Sequence, residues 1–407
     1  MSDVSRFAAR SNINRPQIAI AGAGIGGLAL AIALKRRGHD PVVLERRARD
    51  QVTADGIFLT LAPNGLNALR GIGLADAVST KGVVTTGIAL YNELGKRIGL
   101  IDYTAHRDAF GAPSVTIRRG TLGAILLDAA LAHSVDVRFG AAVDGVDETA
   151  DGVTLIAGGK TLRFDMLAAA DGLRSVVRRL AMPGHPAPSF NGLIGSGGIV
   201  DVPSVPSTGG LMKMTFGRRA FFGYIKQGDG PVYWFNSFPG DEDQARVSDP
   251  GAFRHLIRSL HADDPLDNLA IINADTSVAR AYADYDIPTL PVWHARRIVL
   301  LGDAAHAVTP HSGQGASMAI EDGLVLAACI EAEATPEGAF HQFEALRRKR
   351  VEAAVALGRQ GGQQKKTQSW LSLRIRDLIL PLVVPLGQKA QERMFGFRAD
   401  LTPLTPP

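Results

Sequence analysis

Gln17-Ile18-Ala19-Ile20-Ala21-Gly22-Ala23-Gly24-Ile25-Gly26-Gly27-Leu28 is the stretch from which the rest of the chain can be read. Ile18 to Ala21 is an apolar run suited to a short buried strand. Gly22-x-Gly24-x-x-Gly27 follows at once, and Leu28 to Leu34 is the Ala-, Leu- and Ile-rich start of a buried helix. Strand, glycine turn and helix in that order form the dinucleotide-binding fingerprint. Gly22 permits the tight turn, Gly24 lets the backbone approach a pyrophosphate, and Gly27 lets helix and strand pack closely. The helix N-terminus offers unpaired N–H groups and partial positive charge to the phosphates. A second strand, Pro41 to Leu44, ends in Glu45, followed by Arg46. An acid about 20 residues beyond the glycines is placed to accept hydrogen bonds from the adenosine ribose. The motif leaves NAD and FAD equally open.

Two further segments repeat the pattern of a buried strand ending in a polar turn. Met166 to Ala170 leads into Asp171-Gly172-Leu173-Arg174-Ser175, and Ile298 to Leu301 leads into Gly302-Asp303. The second continues through Ala304-Ala305-His306 and Pro310-His311-Ser312-Gly313-Gln314-Gly315-Ala316 into a helix, Met318 to Ile330. The ends of parallel strands are where an open α/β sheet presents ligand-binding groups, and a Gly-rich turn before a helix is an anion or dipole site. Arg118 and Arg119 open another helix, Thr121 to His133.

Between these segments the character changes. Pro183 to Pro188 reads as a linker. Leu211 to Phe216, Phe221 to Lys226 and Val232 to Phe238 alternate as antiparallel strands do. Val83 to Tyr91 and Lys96 to Ile101 read as two more strands around a turn. Gly195-Ser196-Gly197-Gly198 is not a second nucleotide loop, because no buried helix follows it.

The chain has 407 residues, 46% hydrophobic and 21% charged, with a net charge of +4. That suits a folded protein of two domains or one elaborated domain. There is no basic stripe with interleaved aromatics, so nucleic acid is not an expected partner. Cys329 is the only cysteine. No internal disulfide can form, which favours a reducing, cytoplasmic setting. Met1 to Arg15 is a polar lead-in, and no apolar run is long enough for a spanning helix. His306 and His311 have no cysteine or carboxylate cluster at ligand spacing, so no metal is expected. Leu378 to Leu386 is apolar but carries Pro381 and Pro385. It reads as a packing arm too short and kinked for a good amphipathic helix, with membrane contact the less favoured alternative.

Taken together, Gly22-Ala23-Gly24-Ile25-Gly26-Gly27, Asp171-Gly172-Leu173-Arg174-Ser175 and Gly302-Asp303-Ala304-Ala305-His306 with Pro310 and Gly313-Gln314-Gly315 resemble the class A flavoprotein monooxygenases, the para-hydroxybenzoate hydroxylase type. The resemblance runs from about Arg15 to Phe397. It implies FAD as cofactor, NADPH or NADH as transient electron donor and O2 as co-substrate. Glu45, with Arg46 beside it, would hold the adenosine ribose, and Arg119 would lie along the cofactor. Asp171 and Arg174 would lie near the pyrophosphate. Asp303 would bind the ribitol chain, and the backbone of Gly313, Gln314, Gly315 and Ala316 would face the flavin pyrimidine edge beside Pro310. Ser317 stands where many members have Asn.

The implied reaction is hydroxylation of an aromatic or heteroaromatic molecule through a flavin C4a-hydroperoxide. The alternatives are an FAD oxidoreductase of the same fold that does not oxygenate, or a membrane-associated quinone or isoprenoid hydroxylase. No obligatory acid–base residue is implied; His306, His311 and Pro310 are helper candidates. Met214, Phe216, Phe222, Tyr224 and Phe235, with Met212 and Tyr233, are candidate substrate walls, and strand alternation turns about half of such residues away. The expected architecture is α/β. A Rossmann-like FAD domain is built from residues 16–80, 104–182 and 286–365. A mixed or antiparallel substrate domain is built from 81–103 and 183–285. A helical arm, 366–407, follows, and the chain is expected as a monomer or homodimer.

Overall fold

The computed structural model describes residues 15–54, 56–246, 249–275, 281–363 and 370–399. Its centre is a five-stranded parallel sheet in the order Ile298–Leu300, Met166–Ala169, Ile18–Ala21, Val42–Glu45, Asp136–Phe139. The chain leaves Ile18–Ala21 towards one edge and later returns to its other side. This is the topological switch point at which α/β sheets bind ligands. Ile18, Ile20, Val43, Leu167 and Val299 are no more than 1% exposed, as in a parallel sheet covered on both faces.

The helix Ile25–Arg36 crosses the helix Gly315–Ala332 at small residues. A Cβ on Gly26 would lie 3.3 Å from the Ala319 side chain, and one on Gly323 would lie 2.6 Å from the Leu30 nitrogen. The close crossing brings the two helix N-termini to the same end of the sheet. Helix Pro336–Gln363 packs against the second of them through Phe340, Phe343 and Arg347, all buried.

The second large element is a seven-stranded sheet. Its order is Tyr282–Asp286, Ser189–Val200, Val232–Pro239, Phe221–Ile225, Leu211–Phe216, Gly87–Asn92, Arg97–Asp102. Only the pairing of Leu211–Phe216 with Gly87–Asn92 is parallel. Gly195 to Gly198 lie inside the long strand Ser189–Val200, as expected for a segment that is not a nucleotide loop.

Two expectations are corrected. Val83 to Tyr91 is not one strand: Val83–Thr85 pairs with Ser114–Arg118 in a small separate sheet, and Gly87, at φ 158°, starts the next strand. The tail is the helical arm expected, but it is not broken at its prolines: it runs as one continuous helix, Trp370–Phe395. Interior proline costs a helix a donor, and tertiary anchors hold this one in place. Asn92 donates to Asp377 at 2.7 Å, Arg376 bonds Glu93 at 3.2 Å and lies over Phe216, and Phe395 packs on Tyr103 and Phe110.

Candidate active site

The glycine turn is built as its spacing predicts. Gly22 has φ 102°, a left-handed conformation that favours glycine, and a Cβ there would meet the Ala170 carbonyl at 2.6 Å. A Cβ on Gly27 would stand 2.1 Å from the Gly22 carbonyl. Gly24 differs, because the nearest atom to its absent Cβ is 4.0 Å away. Two glycines therefore close the turn, and the third opens it to the cleft. Glu45, at the end of the next strand, accepts from the Ala23 N–H at 2.7 Å and from the Arg47 N–H at 2.9 Å. Burial alone would raise its pKa, but these bonds and the Arg47 guanidinium hold it below the ordinary glutamate value. Arg46 and Arg119 are exposed, and the Arg119 side chain lies over Gly56.

The second motif turns inward. Asp171 accepts from the N–H groups of Val176 and Val177 at 2.8 and 3.1 Å, so its carboxylate caps the helix Val176–Ala181. Burial pushes its pKa up. Arg174 is exposed, with its guanidinium 5.6 Å from the Tyr285 ring centre, where the electron-rich face attracts a cation. The inward arginine is Arg178, 5% exposed, which donates to the carbonyls of Leu173 and Ala304 at 2.7 and 2.6 Å. It stitches the second motif to the third.

In the third motif Gly302 takes φ 57° and Asp303 is exposed at the strand end. His306 is buried against Trp293, its Nε2 2.6 Å from Asp322. Burial would raise the Asp322 pKa, but His306, Arg347 and the Gly302 N–H bring it down to about 2. His311 is buried with Nε2 2.9 Å from Asp284, which joins the loop after Pro310 to the edge strand Tyr282–Asp286. Neither histidine belongs to a metal-ligand cluster among the described residues.

Whether FAD fits can be judged from the helix ends. The helices Ile25–Arg36, Arg119–Ala132 and Gly315–Ala332 all lack a side-chain cap and an acid in the first turn. Their leading N–H groups are left for another acceptor. Absent Cβ atoms at Gly313 and Gly315 would meet nothing within 4 Å. Uncapped N-termini, open glycines and the exposed Asp303 carboxylate suit a molecule that carries phosphates, hydroxyls and an electron-poor ring.

The wall residues divide by strand alternation. Phe235 and Tyr233 lie on the face of the seven-stranded sheet that meets Phe58, at ring-centre distances of 6.0 and 5.5 Å. Gly197 on the same face approaches Ile57, and Met214, Phe216 and Phe221 cluster there. Phe216 is covered by Arg376. Phe222 and Tyr224 are corrected: they point to the opposite face. Phe222 stacks on Trp234 at 5.6 Å and Tyr224 donates to Asp267 at 2.8 Å, beneath the helices Pro250–Leu260 and Leu266–Ala274. Sequence reading missed Phe58 and Tyr282. Their signal was the strand glycines, which mark close approach. The Tyr282 ring lies where a Gly195 Cβ would be, and the Phe235 ring where a Gly223 Cβ would be.

The family model of the FAD binding domain matches residues 15–357. The chain is 31% identical over 370 residues to the aurachin C monooxygenase/isomerase of Stigmatella aurantiaca, covering 90% of this chain and 94% of that protein. It is 30% identical over 357 residues to the 6-hydroxynicotinate 3-monooxygenase of Pseudomonas fluorescens, covering 83% and 88%. The solved structure of Klebsiella pneumoniae HpxO with FAD and uric acid superposes with a TM-score of 0.79 at 25% identity, covering 94% and 96%. The chain belongs to the FAD-binding family of class A aromatic hydroxylases. It is an FAD-dependent monooxygenase using NAD(P)H and O2. No helix among the described residues is long and apolar enough to cross a membrane.

Proposed function

We propose that this chain hydroxylates a planar aromatic or heteroaromatic small molecule held between the flavin and the inner face of the seven-stranded sheet. The observation that carries the reading is that face itself. Phe58, Tyr233 and Phe235 converge there over a stripe of strand glycines, with Phe58 edge-on to the other two rings, and make an aromatic wall. Aromatic walls suit aromatic and other largely apolar ligands. The face is attached on both sides to the flavin loop. The strand carrying Phe58 leads to Asn64, which bonds Gln314, and Asp284 meets His311.

When bound, FAD supplies the redox chemistry, taking a hydride from NAD(P)H and activating O2. The chain binds and orients. The N–H groups after Gly24, at Ile25 and Gly26, receive the pyrophosphate. Glu45 fixes the turn through Ala23 and faces the adenosine ribose, with Arg46 and Arg119 along the cofactor. Asp303 holds the ribitol hydroxyls. Pro310 and the backbone of Gly313, Gln314, Gly315 and Ala316 border the flavin ring, where helix N–H groups favour negative charge. His306 and His311 hold the loop through Asp322 and Asp284 and carry no proton to substrate. Asp171 caps the helix Val176–Ala181 beside the Gly22 turn, and Arg174 lies on the surface over Tyr285.

The test is the visible spectrum of the purified protein, followed anaerobically with NADH or NADPH and a panel of phenols, quinolones and aromatic acids. A flavin that bleaches faster with one panel member supports the reading and points to the ligand class. Reduction at one rate whatever is added would count against an aromatic substrate.

A further inference from the structure

A buried polar chain runs beneath the flavin loop, and the proposed reaction does not use it. Asn64 is fully buried at the start of the helix Pro63–Gly71. Its Nδ2 donates to Gln314 Oε1 at 3.1 Å and to Glu321 Oε1 at 2.6 Å. A carboxylate only accepts, so the bond to Glu321 fixes which way the Asn64 amide faces. Glu321 is held by Arg347 at 2.6 Å and by Arg350 at 2.8 Å. Arg347 also bonds Asp322 at 2.7 Å, and Asp322 accepts from the Gly302 N–H at 2.9 Å. Asn64, Gln314, Glu321, Asp322 and Arg347 are each no more than 2% exposed.

The burial is costly. A charged group out of water is tolerated only when its partners are complete. Here two carboxylates and two guanidiniums satisfy one another, and Asn64 is the neutral link that carries their fixed position to Gln314. Gln314 is the residue immediately before the helix Gly315–Ala332, and no side chain caps that helix. The Gln314 backbone N–H donates to Ser312 Oγ at 3.2 Å and its carbonyl accepts from the Met318 N–H at 2.9 Å, and the grip on the Gln314 side chain adds the tie to Asn64. A Cβ on Gly65 would lie 2.3 Å from Ser317 Oγ, so the Asn64 turn and the first turn of that helix are in direct contact. The strand before Asn64, Phe58–Leu61, carries the aromatic contact to Phe235.

We infer that Asn64 is a positioning residue, which locks the helix end facing the flavin to the strand that carries the substrate wall. This rests on the reading that FAD sits against Gly313 to Ala316. Asn64 touches neither cofactor nor substrate; it acts through Gln314. Small displacements of reacting groups cost about a hundredfold in rate, so a loosened helix end is expected to slow flavin reduction and leave FAD in place.

The experiment compares Asn64→Ala, Gln314→Ala and the double variant with the unaltered chain. Asn64→Ser, which keeps a small hydroxyl, takes the place of Asn64→Ala if that variant does not fold. Hydrogen exchange over 313–317 is read first, on FAD-free protein. Anaerobic reduction by NADH and the flavin reduction potential follow on the loaded protein. Asn64→Ala is expected to speed exchange there about tenfold, to slow reduction about tenfold and to lower the potential. The double variant should be no worse than Gln314→Ala, because coupled residues are not additive. Unchanged exchange, reduction and potential in a folded Asn64 variant would overturn the inference, as would strict additivity. If the unaltered chain took up no FAD, the flavin reading would fall, and the exchange contrast would still decide whether Asn64 holds the helix end.

Discussion

The two large sheets use their residues in opposite ways. In the parallel sheet the chemistry lies at the strand ends and is carried mostly by backbone: glycine turns, helix N–H groups and a few carboxylates. The side chains of three of its strands, Ile18–Ala21, Met166–Ala169 and Ile298–Leu300, are all buried and apolar. In the seven-stranded sheet the proposed substrate contacts lie on one face and are carried by side chains, while the other face is an ordinary core. A sheet that works at its ends constrains spacing, and a sheet that works on a face constrains which residues point which way.

The largest effect belongs to the end-working sheet. Gly27→Val puts a branched side chain where even a Cβ would stand 2.1 Å from the Gly22 carbonyl. The expected result is loss of FAD binding and a collapse of thermal stability, read from the flavin absorbance and Tm. A Gly27→Val protein that keeps bound flavin would break the claim that backbone approach defines this region.

The next effects separate the two faces of the other sheet. Phe222→Ala removes a ring stacked on Trp234 and is expected to cost about 3–5 kcal/mol of stability, with substrate KM unchanged in the folded fraction. Phe235→Ala, one face over, is expected to raise KM at least tenfold with a smaller loss of stability, because Phe235 is only half-buried. If both variants shifted KM alike, the division into a core face and a ligand face would be wrong.

This contrast also explains what could be read from the sequence. The glycine spacings, Glu45 and the Gly302-Asp303 turn were legible because backbone geometry permits few residues there. The aromatic wall was legible only in part. Alternation says that neighbours face apart but not which neighbour faces the flavin, so Phe222 and Tyr224 were grouped with Phe235. Phe58 comes from a segment far away in sequence, and Arg178 and Asn64 act through tertiary bonds with no local pattern. The tail is legible as a helical arm, but its prolines argue locally for a break, and the anchors that hold it as one helix lie on Asn92, Glu93 and Arg350.

The smallest expected effect sharpens the account of the strand ends. Glu45 is held below its ordinary pKa of 4.5 against the pull of burial, by the N–H groups of Ala23 and Arg47 and the Arg47 guanidinium. A carboxyl depressed in the folded state stabilises the fold above its unfolded pKa, and that contribution is lost as pH falls through the folded value. Glu45→Gln should therefore cost about 1.5–3 kcal/mol at neutral pH, the scale of hydrogen bonds to a charged group. The gap to the unaltered protein should shrink as pH drops below 4.5. Measured on FAD-free protein by thermal melts from pH 7 downward, that closing gap would show that the carboxylate braces the turn even without the ribose. A gap constant with pH would mean that Glu45 contributes shape and not charge, leaving the ribose as the reason for an acid at this strand end.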